Sequence, residues 1–218
     1  MHTRFPSLIP GAQIASRITS WMVAIAVIGS GLARAQTSVA LSLYGAFSGA
    51  TNGNHVTESP SNSAGGLFEF RHISNPIVGW EATYAYNRAN QSYFSPLPCS
   101  ASSSTCPWQA VSANAHEITA DWVPSVHFAS VRPFAVLGIG ALLNKPVANQ
   151  SNQSDTTSSN KAVYVYGAGL DWNLIPHLGL RFQYRGNLYK APDLSTLYTT
   201  TNAFTHTAEP VIGAYFRF

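Results

Sequence analysis

The sequence predicts an all-β protein built as one closed, up-and-down barrel of eight antiparallel strands. Apolar and polar residues alternate with a period of two in eight segments between Val39 and Phe218, and none of these segments shows the spacing of an amphipathic helix. The segments are joined by four long and three short polar connections in strict alternation. Successive hairpins produce this pattern when all the long connections lie at one end of a barrel.

The first four segments place apolar and polar side chains on opposite faces of each strand. Phe68 and Phe70 alternate with Glu69 and Arg71, so one face is aromatic and the other is charged. A tight turn at residues 74–76 joins the second segment to the third. These strands are expected at residues 39–47, 66–72, 80–87 and 117–122.

The last four segments repeat the alternation and add glycines to the polar face. Gly138 and Gly140 oppose Leu137 and Ile139. On an inward face, such glycines leave room for large side chains from opposite strands. The strands are expected at residues 135–143, 164–172, 178–185 and 211–218, with the long connections at residues 48–63, 90–114, 149–160 and 187–205.

The first 35 residues have the features of a secretory signal peptide. Arg4 and Arg17 precede an apolar run at residues 21–28, and Ala33-Arg34-Ala35 follows as a cleavage site. The apolar run is too short for a spanning helix. The expected organisation is a signal peptide at residues 1–35 and a barrel domain at residues 36–218.

The signal peptide also accounts for the basic character of the chain. The formal net charge is +3 and the pI is about 9.0, values that suggest a nucleic-acid partner. Arg4, Arg17 and Arg34 all lie in the segment to be removed, which leaves nine basic residues against nine acidic ones. A neutral mature protein offers no basic surface to phosphates, so no nucleic acid is expected as a partner.

Export determines the expected state of the two cysteines, Cys99 and Cys106. They lie close together in a Ser- and Pro-rich connection, so a disulfide between them is expected. Two thiols make a poor zinc site, because zinc usually takes four ligands. The seven histidines show no metal-ligand spacing. Neither a metal ion nor a cofactor is expected.

The polar face of the strands carries most of the charge of the mature chain. If the aromatic face meets lipid, the charged face must fill the lumen, where the charges are expected to pair because an isolated buried charge is costly. The pairing should be densest near the end with the short turns, around Arg217, Arg181, Asp171 and Asp121. The predicted lumen network comprises Glu69, Arg71, Glu81, Glu117, Asp121, Asp171, Arg181, Arg185, Glu209 and Arg217.

A soluble barrel is the alternative interpretation of the same alternation. A secreted or periplasmic lipocalin-like barrel would also have eight strands, but its aromatic face would point inward around a small apolar ligand. The terminal Phe218, the alternation of long and short connections, and the scarcity of charge in the connections favour the membrane barrel.

The C-terminal strand carries a more specific feature. Gly213 is followed by alternating aromatic residues, with Phe216 and the terminal Phe218 on one face. This pattern resembles the C-terminal assembly signal of bacterial outer-membrane barrels, although Val211 stands where that signal usually has a polar residue. The resemblance implies insertion by the β-barrel assembly machinery, which would recognise Gly213, Phe216 and Phe218.

The whole mature chain resembles the small outer-membrane β-barrels typified by OmpA-like and OmpX-like proteins. The stretches that carry the resemblance are residues 132–140, 166–172 and 178–185. It implies localisation in the bacterial outer membrane, contact with the lipid bilayer and lipopolysaccharide, and a non-enzymatic structural or adhesin-like role. The second long connection, loop 2, carries Tyr93, Phe94 and Trp108 and is the candidate contact surface for a partner. Alternatively, these aromatics fold back on the rim.

No catalytic set is convincing in the sequence. Histidine next to a carboxylate at the outer rim is the strongest hint of a lipid-modifying enzyme, in His116 with Glu117 and His206 with Glu209. Both pairs fall on opposite faces of their strands, which argues against joint catalysis. We therefore expect a protein that is not an enzyme.

Overall fold

The computed structural model describes residues 35–96, 108–148 and 155–218, and within them ten β-strands form one antiparallel sheet that closes on itself. No helix in these ranges is long and apolar enough to cross a membrane. The strands are β1 (Gln36–Ser48), β2 (Thr51–Gly53), β3 (Val56–Pro60), β4 (Ser63–Ile73), β5 (Gly79–Phe94), β6 (Gln109–Trp122), β7 (Val131–Pro146), β8 (Ser159–Ile175), β9 (Leu178–Lys190) and β10 (Phe204–Arg217).

Eight of these strands form the barrel wall, in the order β5-β4-β1-β10-β9-β8-β7-β6, and β6 pairs with β5 to complete the circle. The first strand pairs with the last, from Ser38 opposite Arg217 to Ser48 opposite Thr207. A closed sheet leaves no edge of unpaired backbone groups, which is the condition for a sheet in lipid. The predicted eight-stranded antiparallel barrel is confirmed.

The strands are strongly staggered. Each register pairing leads from one strand to the next, and a full circuit that starts at Ser38 on β1 ends at Ser48, ten residues further along the same strand. A stagger of this size corresponds to strands tilted by about 40° from the barrel axis. The circuit runs through Ser38, Arg71, Glu81, Asp121, Gly138, Val165, Asn187, Thr207 and Ser48.

The connection at residues 48–63 is not the plain polar loop that was predicted. It contains the hairpin β2–β3, whose turn places Asn54 and His55 at φ values of 51° and 63°. β5 has 16 residues and extends beyond the end of β4, which has 11. β3 pairs with the outer part of β5, from Thr57 opposite Phe94 to Pro60 opposite Gln91. The hairpin therefore extends the wall beyond the end of β4.

The apolar face of the wall points outward. The side chains of Leu41 and Leu43 are each 70% exposed, whereas Glu69 and Arg181 are 0% exposed in the lumen. This arrangement contradicts the lipocalin-like alternative, which requires the aromatic face inside. The buried charged residues of the lumen can pair with one another, which offsets the cost of burying them. The apolar residues lie on the outer face, which water would contact in a soluble barrel.

Candidate functional site

The half of the lumen nearer the short turns contains a compact ionic cluster centred on Arg181. Its Nε and Nη2 donate to Asp171 at 2.7 and 3.0 Å, and its Nη1 donates to Glu69 at 3.0 Å and to Glu81 at 3.2 Å. Arg71 donates to Glu81 at 2.5 Å and to Asp171 at 3.2 Å. Every carboxylate of this cluster therefore contacts a guanidinium group, and we call these five residues the inner cluster.

Two small residues and one aromatic residue shape the surroundings of the inner cluster. The Arg71 guanidinium lies 3.9 Å from the ring centroid of Phe134, a cation–π distance. Ser42 donates to Glu69 at 2.8 Å. A β-carbon on Gly213 would collide with the Ser42 hydroxyl, so the absence of a side chain there allows this hydrogen bond to form. Gly213, which is part of the pattern that resembles an assembly signal, is thus also needed for packing in the lumen.

The half of the lumen nearer the long loops has a different polar group, which we call the outer cluster. Arg185 Nη2 donates to Glu117 Oε1 at 2.8 Å. The amide nitrogen of Asn187 donates to Glu117 Oε2 at 2.8 Å and to Glu209 Oε1 at 3.0 Å. A neutral side chain therefore links the two glutamates, and one guanidinium serves the group.

The structure places Asp121 and Arg217 in the lumen but outside the dense pairing expected around them. Asp121 accepts from the Thr119 hydroxyl at 2.9 Å and lies against Gly138, where a β-carbon would collide with its carboxylate. Arg217 donates to Asn173 at 3.3 Å and to the Pro176 carbonyl at 2.6 Å, at the end with the short turns. Neither residue forms an ion pair within the described ranges.

Several lumen residues were missed from the sequence. Arg132 lies directly across the sheet from Asp171, and its position shares the strand parity of Phe134, so the alternation could have revealed it. Asn187 was assigned to the long connection at residues 187–205, but β9 continues to Lys190, three residues past Asn187. Nothing in the local pattern indicated that a neutral amide would join two carboxylates.

Two cavities flank the inner cluster. The larger, of about 60 Å³, lies between the outer cluster and the mouth of the barrel and is lined by Glu117, Glu209 and Asn187, among others. The smaller, of about 10 Å³, lies at the other end against Arg132 and Arg217. An eight-stranded barrel has an interior that side chains nearly fill, and these volumes suit water molecules rather than a wide channel.

The outer mouth is covered by residues 191–203, the β9–β10 loop. The Tyr93 hydroxyl donates to the Pro192 carbonyl at 2.9 Å and accepts from the Leu194 amide at 2.9 Å. Lys161 pairs with Asp193 at 2.7 Å, and the Ser195 hydroxyl donates to Gln109. Contacts from three different strands of the wall therefore hold this loop in the mouth.

Glu58 of β3 is buried beneath this cover, with 0% exposure. Burial, with the nearby Asp193 carboxylate as the second cause, raises the pKa of Glu58 from 4.5 to about 7. The Gln91 amide lies 3.5 Å from one of its oxygens. Glu58 is an ionisable group whose charge state near neutral pH depends on the position of the loop above it.

The candidate contact aromatics of loop 2 are in two different situations. β5 extends to Phe94 and β6 begins at Gln109, so the connection is shorter than predicted. Tyr93 is buried against the β9–β10 loop, whereas Phe94 and Trp108 are exposed. Cys99 and Cys106, with their predicted disulfide, lie outside the described residues.

The two histidine–carboxylate pairs are separated by the wall of the barrel. His116 and His206 lie on the outer surface. His116 Nδ1 is 2.8 Å from the Tyr84 hydroxyl, and His206 Nε2 is 2.8 Å from the Tyr166 hydroxyl. Their neighbours Glu117 and Glu209 belong to the outer cluster. Within the described ranges, no group of three or more His, Cys, Asp or Glu is arranged to hold a metal ion.

Comparison with solved structures identifies the architecture. Neisserial surface protein A aligns with 84% of this chain and 97% of its own at 12% identity, with a TM-score of 0.52. The outer membrane protein OprG from Pseudomonas aeruginosa aligns with 86% of this chain and 98% of its own at 11% identity, with a TM-score of 0.53. The fold is that of a small outer-membrane β-barrel.

Other comparisons add less. Ail, the attachment invasion locus protein of Yersinia pestis, aligns with 85% of this chain and 99% of its own at 15% identity and a TM-score of 0.47. No family model and no characterised protein matches the chain by sequence. The similarity is thus one of fold, and function has to be argued from the residues of this chain.

Proposed function

We propose that the protein is an integral protein of the bacterial outer membrane with a non-enzymatic role, either structural or in surface contact through its long loops. The observation that carries the proposal is the inverted polarity of the barrel, with aliphatic and aromatic side chains outside and ion-paired side chains inside. A surrounding lipid phase makes this distribution favourable for a closed wall of eight strands.

The charges on the outer wall support a defined orientation in that membrane. Along the described strands, the exposed Lys and Arg residues that face outward are Arg88, Lys145 and Lys190, and no Asp or Glu faces outward. All three lie toward the ends of their strands that carry the long loops. Anionic headgroups attract basic side chains at a membrane surface, so these residues fit the phosphates of lipopolysaccharide in the outer leaflet.

The aromatic residues of the wall support the same orientation. Three tryptophans and two phenylalanines lie outward near the short turns, and four tyrosines lie outward nearer the long loops, as expected for girdles at two membrane interfaces. The two sets are Trp80, Trp122, Trp172, Phe216 and Phe218, and Tyr84, Tyr86, Tyr164 and Tyr166.

The localisation is tested by gel mobility of the isolated outer-membrane fraction, with unheated and boiled samples run side by side. A closed barrel resists detergent until it is heated, so the unheated band should migrate differently from the boiled one. Recovery of the protein from the periplasm or the medium, without a heat-dependent shift, would refute the proposal. N-terminal sequencing of the same band should begin at Gln36 if residues 1–35 are a signal peptide.

A contact role for loop 2 rests on the exposed rings of Phe94 and Trp108. Binding of whole cells to candidate surfaces should fall when both residues are changed to serine, or when residues 98–107 are deleted. The matched control is Leu197→Ser, an exposed apolar residue of the neighbouring β9–β10 loop. Unchanged binding in both loop 2 variants would leave the structural role as the proposed function.

Recognition by the assembly machinery can be separated from folding through Phe218. Its side chain is exposed on the outer face and its amide pairs with the Thr37 carbonyl at 3.1 Å. Phe218→Ala should therefore slow insertion in cells while refolding into detergent micelles stays normal. An equal defect in both assays would show that Phe218 acts through stability instead.

A further inference from the structure

The charges of the lumen do not balance in the outer half. In the inner half, Arg71, Arg181 and Arg132 lie with the carboxylates of Glu69, Glu81 and Asp171. Further out, Arg185 lies with two carboxylates, those of Glu117 and Glu209, whereas Asp121 lies directly across the sheet from Glu81. One guanidinium balances one of the two, so one negative charge needs another partner or must be neutralised by a proton.

The two glutamates linked by Asn187 border the larger cavity of the lumen. This cavity has a volume of about 60 Å³, enough for an ion together with a few water molecules. Glu209 has the neutral amide of Asn187 as its hydrogen-bonding partner, and Glu117 shares that amide. The excess negative charge is therefore adjacent to unfilled space.

An unpaired oxygen at the same place points to a ligand. Asn187 is 1% exposed and lines the cavity, and its carbonyl oxygen Oδ1 has no hydrogen-bonding partner within the described residues. Leaving such an oxygen buried and unpaired costs free energy. The same amide side chain donates from Nδ2 to both glutamates and carries the unpaired Oδ1 at the lining of the cavity.

The cavity extends toward the outer rim of the barrel. Its lining includes Pro192 and Leu194 of the β9–β10 loop, and also Ser61 and Asn90, which are exposed.

We propose that the space between Glu117, Glu209 and Asn187 is a binding site for a partly hydrated divalent cation. The ligands are all oxygens, which favours hard cations such as Ca²⁺ over softer transition metals. Glu117, Glu209 and the Asn187 oxygen supply the protein ligands, the Arg185 guanidinium offsets one of the two carboxylate charges, and water supplies the remaining ligands. This site goes beyond the proposed membrane role, since a barrel with or without it would fill the same place in the membrane.

The test is a calorimetric titration with CaCl₂ at pH 7.5. The protein is purified from membranes in non-ionic detergent and stripped of lipopolysaccharide, whose phosphates also bind Ca²⁺. We expect one Ca²⁺ per chain with a dissociation constant between about 0.1 and 1 mM, the range of extracellular calcium sites. Glu209→Gln should weaken binding at least about tenfold, since it removes one full ligand charge and keeps the shape of the side chain.

The matched control is Asp121→Asn, which removes another carboxylate of the lumen that does not line the cavity. Its dissociation constant should stay within about twofold of wild type, because the changed charge is not a ligand of the ion. Equal Ca²⁺ binding by wild type and Glu209→Gln would overturn the proposal. So would the absence of binding by wild type up to about 10 mM, a result that would show the glutamates to be neutralised by protons.

A second measurement does not depend on the folding of the Glu209 variant. Tyr44 and Tyr189 line the cavity, so Tb³⁺ bound there should emit on excitation of tyrosine, and Ca²⁺ should displace it. The emission should fall at least about twofold in a Tyr44→Phe and Tyr189→Phe double variant whose Ca²⁺ affinity is unchanged. Tb³⁺ emission that is unaffected by the double variant would place the ion elsewhere and would contradict the assignment.

Discussion

The inner and outer halves of the lumen are built from the same residue types, yet they treat charge differently. In the inner cluster, each carboxylate meets a guanidinium, and Arg181 alone makes four contacts with three acids. In the outer cluster, a neutral amide joins two glutamates beside a cavity. The inner half is a closed electrostatic unit, whereas the outer half and the mouth above it retain unbalanced charge and room for water.

This difference assigns stability to the inner half of the lumen and the ability to take up ligands to the outer half. In the inner cluster, the loss of any member leaves another charge unpaired in a medium of low dielectric, so this part of the lumen is held rigidly. A network with spare acceptors and a cavity can take up ions, protons or water.

Removal of the central arginine should have the largest effect. Arg181→Met leaves Asp171, Glu69 and Glu81 with too few cations, and we expect a loss of about 3–5 kcal/mol in the free energy of unfolding. Urea unfolding of the protein refolded into lipid vesicles, followed by tryptophan fluorescence, gives this value. The outward-facing Arg88→Met serves as the control, with a change within about 0.5 kcal/mol. A loss under about 1 kcal/mol for Arg181→Met would show that the inner cluster does not stabilise the barrel more than the outer cluster does.

The pH should act on the mouth and not on the inner cluster. Since the folded pKa of Glu58 is about 7, above its ordinary value of 4.5, its contribution is fully present below pH 4.5 and is lost as the pH rises through about 7. The β9–β10 loop should therefore be better protected from hydrogen exchange at pH 5 than at pH 8, by up to about 3 kcal/mol after correction for intrinsic rates. Glu58→Gln should abolish the difference; protection that rises with pH would contradict it.

Tyr93 should stabilise the cover of the mouth locally. Tyr93→Phe removes a donor to Pro192 and an acceptor for the Leu194 amide, so local opening should cost about 1–2 kcal/mol less. The measurable result is a roughly tenfold faster exchange of the Leu194 amide, with unchanged exchange in β9 and β10. Tyr164→Phe, on the outer wall, is the matched control. Faster exchange throughout the barrel would mean that the cover and the wall unfold as one unit.

The smallest effect is expected for neutralising a glutamate of the outer cluster. Glu209→Gln keeps an acceptor for Asn187 and removes unbalanced charge, so the free energy of unfolding without divalent cations should change by less than about 1 kcal/mol. Glu69→Gln, which loses the charge of the hydrogen bond from Arg181, should cost about 1.5–3 kcal/mol in the same urea assay. Equal losses in the two variants would remove the distinction between the halves.

The surroundings of the loop 2 aromatics could not be predicted from the local sequence. The alternation of Tyr93 and Phe94 indicates that one ring points inward and the other outward, but not that the inward ring meets a loop about a hundred residues away. The hydrogen bonds of Tyr93 to Pro192 and Leu194 arise because β5 is long enough to reach the mouth. Strand length and loop packing depend on the tertiary structure, so the alternation around Tyr93 and Phe94 does not predict them.

The same limit applies to the ion pairs. Alternation placed Arg181 and Asp121 on the lumen face, yet Arg181 pairs with Asp171, Glu69 and Glu81, whereas Asp121 lies against Gly138 and Thr119. Partners across a lumen depend on the stagger of ten residues around the barrel, which sums the registers of all eight pairings. No single segment encodes that sum.

The number of barrel strands, their antiparallel order and the charged face of each strand follow from the sequence, because a period of two is a local property of extended backbone. The sequence also favoured the charged face as the inner one, and the structure confirms it. Which charges meet, and that the outer cluster has one carboxylate more than its arginine can balance, became visible only in the tertiary structure. Those outcomes depend on closure and stagger, which bring residues from distant strands to the same height in the lumen.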